Sequence, residues 1–226
     1  MTDMWVDLLP VLFALLISPA RTIALILLLH TPRHATTAAG YVVGMISAMM
    51  AQGIVFAAGF SLIGLTADER AGDLAVVVGV LFVVAGIIMF VGAARFFFRA
   101  HDDDSPPPPW FDKLEQATPK QAVTTGFGWL MVSPKQWVFV LTAVAVIYAA
   151  DLEPASGLIN YFVFTLLVQG AYVVIIAAYL LMPDRSEALL DALFGWLKRN
   201  LRVVVITLFS GFGLMFLVKG LSALAS

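Results

Sequence analysis

Hydrophobic positions in this chain come in long blocks, with the polar ones gathered between them. Residues 35–67, 74–94 and 154–183 carry no charge at all, and each block reaches the roughly 20 apolar residues that cross about 30 Å of hydrocarbon. Three further blocks, 5–29, 122–149 and 203–224, are interrupted only by Asp7 and Arg21, by Lys135, and by Lys219. The pattern predicts six membrane spans, at 5–29, 38–63, 74–94, 122–149, 158–181 and 203–224. Backbone groups in hydrocarbon must find partners within their own segment, so the fold class expected is an all-α integral membrane protein.

Two of the predicted spans contain the same interruption. Ser18-Pro19 is followed by Arg21, and Ser133-Pro134 by Lys135. Proline lacks an amide hydrogen and clashes with the preceding turn, so spans one and four should be broken helices. At membrane depth a break is tolerated where protein or a water-filled cavity meets the freed carbonyls. Gln52-Gly53 lies 34 residues after Ser18, and Gln169-Gly170 lies 36 after Ser133. Each half then ends in a glycine-containing span, with Gly79, Gly86 and Gly92 in one and Gly211, Gly213 and Gly220 in the other. Three spans is an odd number, so a second copy enters the membrane upside down. The expected plan is a 3+3 inverted repeat with its breaks meeting near the midplane.

The polar stretches divide the chain into a first three-helix repeat at 1–96, a linker at 97–121 and a second repeat at 122–226. The linker holds three aspartates at 102–104 and four prolines at 106–109, a composition that favours extended polyproline geometry. Within the second repeat, Leu189, Leu190, Leu193, Phe194 and Leu197 recur at helical spacing, with Glu187, Asp191 and Lys198 elsewhere. An interfacial amphipathic helix over about 184–199 is expected there. No Lys or Arg precedes the first block and no small-residue cleavage motif follows it, so it reads as a retained span.

Composition agrees with this class. Hydrophobic residues make up 61% of 226 positions and charged ones 12%, about half the share in a soluble domain. With no cysteine, a thiol–disulfide relay and a thiolate metal site are excluded. The basic residues are unevenly placed. Arg33, Arg95, Arg99, Lys113, Lys120, Arg185, Lys198, Arg199 and Arg202 fall in alternate loops on one side, and only Arg70 on the other. That bias puts the first group in the cytoplasm of a bacterial inner membrane, with both termini outside.

The breaks are also where the candidate chemistry lies. A helix starting at Pro19 or Pro134 presents open N–H groups and the positive end of its dipole. Serine suits the cap and proline the first helical position. With Arg21 and Lys135 added, the site favours an anion: carboxylate, sulfate or phosphate. The predicted substrate-binding residues are Ser18, Pro19, Arg21, Gln52, Ser133, Pro134, Lys135 and Gln169. The other reading is structural: a cation can snorkel or bond a broken helix's carbonyls, and the glutamines can bond across helices. Lys219 reads as a snorkelling interface residue, and Gly40 with Gly44 as a close-packing pair. No Asp, Glu or His lies deep in a span, which makes a carboxylate proton relay hard to build. His30 and His34 flank Pro32 with no acidic partner, and no triad spacing occurs. No catalytic residue, metal or cofactor is expected.

Six spans, the doubled break with Pro-Lys in its second copy and a long central loop together resemble the lysine-exporter superfamily. Within it the chain is similar to the glycopeptidolipid-addressing and sulfolipid-addressing protein family of mycolic-acid bacteria. The stretches carrying this are Ser18-Pro19-Ala20-Arg21-Thr22-Ile23-Ala24-Leu25, Thr31-Pro32-Arg33-His34-Ala35, Gly40-Tyr41-Val42-Val43-Gly44 and Ser133-Pro134-Lys135-Gln136. Related amino-acid exporters have Asn before the proline where both copies here have Ser, which weighs against amino-acid export. The resemblance implies outward movement of anionic cell-envelope glycolipids or their precursors, by alternating access around the breaks. Alternatives are an accessory subunit of a larger lipid exporter, or an exporter of a small anionic metabolite or amino acid. The partners implied are an anionic lipid or glycolipid, membrane lipids, and a larger exporter or a second copy of the chain; nucleic acid is not among them.

The basic bias makes a direct prediction. Single cysteines at Asp68 and Asp151 should react with an impermeant thiol reagent applied to intact cells, and one at Asp103 should not. Labelling at Asp103 would invert the topology.

Overall fold

Without charges to interrupt them, the apolar blocks wind into helices that satisfy their own backbones. The computed structural model describes the backbone of residues 2–16, 18–63, 67–98, 113, 114 and 116–225. Among the described residues eight helices run in order: α1 Thr2–Leu16, α2 Pro19–Leu29, α3 His34–Ile63, α4 Ala67–Phe98, α5 Pro119–Val132, α6 Pro134–Ala149, α7 Pro154–Leu181 and α8 Pro183–Ala225. No strand occurs among the described residues. The aspartate and proline runs of the linker, at 102–104 and 106–109, lie outside them, and the linker's two ends belong to α4 and α5. The side chains that would form the apolar face of the predicted interfacial helix also lie outside them. The backbone there is helical, but the helix does not stop at residue 199: α8 runs on through 43 residues, about 65 Å at 1.5 Å per residue.

Helices α3, α4, α7 and the Arg202–Ala225 part of α8 are each long and apolar enough to cross a membrane. The pair α1 and α2 is bent by 52°, and α5 and α6 by 77°; each pair would supply one more span. The chain is therefore a multi-pass membrane protein with four to six spans, and the six expected from the hydrophobic pattern form the upper limit. Its surface fits that solvent. Val55, Leu62, Val174, Leu181 and Val203 are exposed, an apolar display that a water-facing surface would not tolerate.

Two helix pairs carry most of the packing, α4 with α8 and α3 with α5. Hydrocarbon supplies no hydrophobic drive between helices, so small residues that let backbones approach do the work. In the first pair Gly86 faces Gly213 and Gly79 faces Gly220. A Cβ on Gly86 would stand 2.9 Å from Gly213 O, and one on Gly220 would stand 2.7 Å from Gly79 O. The numbering rises on one helix as it falls on the other, so the two run antiparallel. In the second pair a Cβ on Gly44 would meet Val123 O at 2.1 Å, and one on Gly126 would meet Tyr41 O at 2.3 Å. The Gly40–Gly44 pair does pack a helix closely, against α5. Between the pairs, Phe82, Phe216 and Phe139 form a column of rings with centroids 5.8 and 5.2 Å apart.

Gly44→Ala should therefore destabilise the protein by about 1–3 kcal/mol, the usual range for overpacking a tight contact. Gly128→Ala, where nothing lies within 4 Å of the added carbon, should not destabilise it. Thermal unfolding in detergent separates the two variants; equal melting points would contradict the close α3–α5 contact.

Candidate functional site

A helix amide donates to the carbonyl four residues back, and proline has no amide hydrogen to donate. Pro19 therefore leaves Leu15 O without its helical donor, and Pro134 leaves Leu130 O. The structure supplies each with a side chain. Arg21 Nη2 donates to Leu15 O, and Gln52 Nε2 reaches from α3 to Leu130 O at 3.3 Å. The next carbonyl in each break is bonded as well. Tyr172 Oη on α7 donates to Leu16 O at 3.4 Å, and Trp137 Nε1 on α6 donates to Met131 O at 2.7 Å. Each break thus takes one donor from its own second half-helix and one from the middle helix of the opposite half.

The two breaks are joined through the core. On α3 the buried row is Tyr41, Met45, Met49 and Gln52; on α7 it is Tyr161, Thr165, Gln169 and Tyr172. Tyr161 Oη donates to Met49 O at 2.6 Å, and Gln169 Nε2 lies 3.2 Å from Met49 Sδ. Bonds from Tyr172 to Leu16, from Gln169 to Met49 and from Gln52 to Leu130 thus lie along the two facing buried rows. At the far end of the same pair of helices the His34 and Tyr179 rings meet edge-on at 5.4 Å. The predicted Gln52 and Gln169 are both fully buried and both bond across helices.

The serines differ from the expected pair of caps. Ser133 Oγ accepts from Gln136 N at 3.4 Å and caps α6. Ser18 occupies the cap position of α2 but makes no side-chain cap bond. Its backbone is extended, at φ −133° and ψ 96°, as a cap residue's is, yet its hydroxyl takes no bond from the first turn of α2. The breaks are reachable from the surface, since Ala20, Val132 and Pro134 are all exposed.

The two cations also differ. Arg21 is 4% exposed, with its guanidinium carbon 5.8 Å from the Tyr172 ring centre. Of its three side-chain nitrogens, Nη2 is spent on Leu15 O and Nη1 is buried without a hydrogen-bond partner. Lys135 Nζ rests on two aromatic faces, 4.8 Å from Phe209 and 5.6 Å from Phe139. Gly92 makes room for this floor, because a Cβ there would stand 2.5 Å from the Phe209 ring. Among the described residues neither cation has a carboxylate partner. Lys219 does have one: its Nζ lies 2.6 Å from Asp7 Oδ1 and ties α8 to α1, where the sequence pattern suggests simple snorkelling.

Six buried side-chain atoms in this region lack a partner: Arg21 Nη1, Tyr41 Oη, Gln52 Oε1, Gln136 Nε2, Thr165 Oγ1 and Gln169 Oε1. Buried polar atoms are nearly always hydrogen-bonded, so this cluster is suited to a polar ligand or to ordered water. Tyr172, Trp137 and Tyr161 were not among the residues predicted from sequence. Proline arithmetic gives the orphaned carbonyls at 15 and 130, but these three bond the carbonyls of Leu16, Met131 and Met49. Which side chain reaches which carbonyl is not legible in the sequence.

A protein-family model described as Sap, sulfolipid-1-addressing protein, matches residues 8–222, nearly the whole chain. Nothing among the curated proteins or the solved structures matches.

The different bonding of the two cations predicts different costs of removing them. Arg21→Met strands the Leu15 carbonyl and should destabilise the fold by about 1–3 kcal/mol. Lys135→Met strands no acceptor and should leave the melting temperature in detergent unchanged or raised. A loss of stability in Lys135→Met matching that in Arg21→Met would contradict the assignment.

Proposed function

The chain belongs to the sulfolipid-1-addressing protein family, and from that premise we propose that it is an inner-membrane transporter of anionic cell-envelope glycolipids or their precursors. A role in addressing lipids comes with the family. The anionic specificity rests on one observation: two cations at the helix breaks, one of them buried with an unbonded nitrogen, and neither matched by a carboxylate among the described residues. An uncompensated buried cation is costly, and an anionic substrate group would relieve both at once. The uncapped start of α2 adds open amide groups and a positive helix end on the same side of the break.

The proposed mechanism is alternating access around the two breaks, in a six-span chain of inverted repeats with both termini outside. The reciprocal bonding supports the repeat: α7 bonds the first break and α3 the second. The antiparallel α4–α8 contact agrees as well, since the glycines on each helix stand seven apart and exchange places under a two-fold axis. In this reading the wider relationship is to the lysine-exporter superfamily, and no step of covalent chemistry is involved. A second reading, an accessory subunit that positions a larger lipid exporter, is favoured by the stretch of α8 before Arg202, which exceeds what a span requires.

Transport should depend on Lys135. Lys135→Ala should abolish export of the envelope lipid in a deletion strain while the protein is still made at wild-type levels. Lys135→Arg should restore it only in part, because a planar fork is not a compact ammonium. Export undiminished in Lys135→Ala would leave the cation without a role in transport.

A further inference from the structure

A buried tyrosine brings a hydroxyl into the core, and that hydroxyl normally finds a partner there. Three tyrosines are buried in the facing rows of α3 and α7: Tyr41, Tyr161 and Tyr172. Tyr161 Oη bonds Met49 O, and Tyr172 Oη bonds Leu16 O. Tyr41 is as fully buried as the others, yet its Oη bonds nothing. A phenylalanine would fill the same space without the cost of a stranded hydroxyl.

The close α3–α5 seam fixes where this ring stands. A Cβ on Gly126 would lie 2.3 Å from Tyr41 O and 3.1 Å from Tyr41 Cδ2, so α5 presents bare backbone to the tyrosine. A phenol turns on only two side-chain torsions, which leaves its oxygen little freedom to seek an acceptor elsewhere. In this position the hydroxyl is within electrostatic range of Arg21 and of Tyr172. Arg21 stands over the Tyr172 ring, 5.8 Å from its centre, and its Nη1 also lacks a partner. Lys135 is within range of the same guanidinium. Two buried donors, one charged and one neutral, therefore share one region of the core, and neither bonds the other.

We propose that Tyr41 is a second ligand of the substrate's anionic group, its hydroxyl and Arg21 Nη1 together taking the oxygens of one oxyanion. This rests on the reading of the chain as a transporter of anionic envelope lipids, and it gives that site a residue that adds specificity without charge. An oxyanion carries two or more acceptor oxygens on one centre, which suits donors arriving from two different helices. A charged donor alone attracts any anion; a rigid neutral donor beside it fixes where the oxygens lie. Because the Tyr41 ring packs on α5 and Arg21 belongs to α2, the bound oxyanion also connects the first break to the half-helix leading into the second.

The test uses the full chain in an uncharged maltoside detergent, with binding read from the rise in melting temperature as a probe is added. Dioctanoyl phosphatidylglycerol is the anionic lipid, dioctanoyl glycerol the uncharged one and inorganic phosphate the free oxyanion. The unmodified chain should bind phosphatidylglycerol, bind phosphate more weakly and ignore the glycerol. Tyr41→Phe should weaken phosphatidylglycerol binding about 10- to 100-fold, the effect of one hydrogen bond to a charged group. Without any probe its melting temperature should be unchanged or raised, because the missing hydroxyl had no protein partner. Tyr179→Phe, at the far end of the same pair of helices, should bind as the unmodified chain does. A melting temperature lowered in Tyr41→Phe with lipid affinity unchanged would assign the hydroxyl to an ordered water and overturn the proposal. Binding lost in Lys135→Ala but kept in Tyr41→Phe would overturn it as well, and leave the transporter reading standing. Equal responses to the charged and uncharged lipids would overturn both. Phosphate bound as tightly as phosphatidylglycerol would overturn a lipid headgroup as the source of the oxyanion.

Discussion

Two missing hydrogen-bond donors organise the core. Pro19 and Pro134 each remove one amide hydrogen from an apolar helix, and a carbonyl left unsatisfied in hydrocarbon costs several kcal/mol. Everything that meets this cost must come from a side chain of the right length at the right height. Arg21, Tyr172, Gln52 and Trp137 do so. Because two of these donors sit on α7 and α3, the breaks bind the two halves of the chain to each other.

This need explains why the helix packing is so close. A glutamine or tyrosine can reach a neighbouring backbone only if the helices nearly touch, and glycine is what lets them. Gly44 and Gly126 bring α3 onto α5, within reach of the second break. Glycines on α4 and α8 form the other tight seam, and Gly92 there admits the Phe209 ring that supports Lys135. Fold and site are therefore built by the same small residues, and a methyl group in the wrong place disturbs both.

The charges divide into three kinds by their partners. Lys219 is neutralised by Asp7 and serves to tie α1 to α8. Arg21 has one nitrogen committed to the backbone and one in reserve. Lys135 Nζ stands over two aromatic faces and has no carboxylate partner among the described residues; cation–π contact is worth about 2 kcal/mol when desolvated. That gradation, more than the bare presence of basic residues, is what the proposed anion site rests on.

Much of this was determined by sequence alone. Uncharged blocks of 20 residues or more read as membrane helices, proline removes a helical donor, and the carbonyl it orphans is four residues back; these are local consequences of covalent structure, although Pro10 sits inside α1 without ending it. The paired Ser-Pro and Gln-Gly signals and the Gly40–Gly44 pair were legible for the same reason. Tertiary structure decided what no local rule could: that Arg21 turns back to Leu15 while Lys135 lies on Phe139 and Phe209, that Ser133 caps its helix and Ser18 does not, and that Lys219 meets Asp7 some 212 residues away. It also decided that the segment after Pro183 continues without a stop into the last span. Each of these depends on which helices stand side by side, and in a chain where nearly every residue is apolar, helix faces look alike until packing chooses between them.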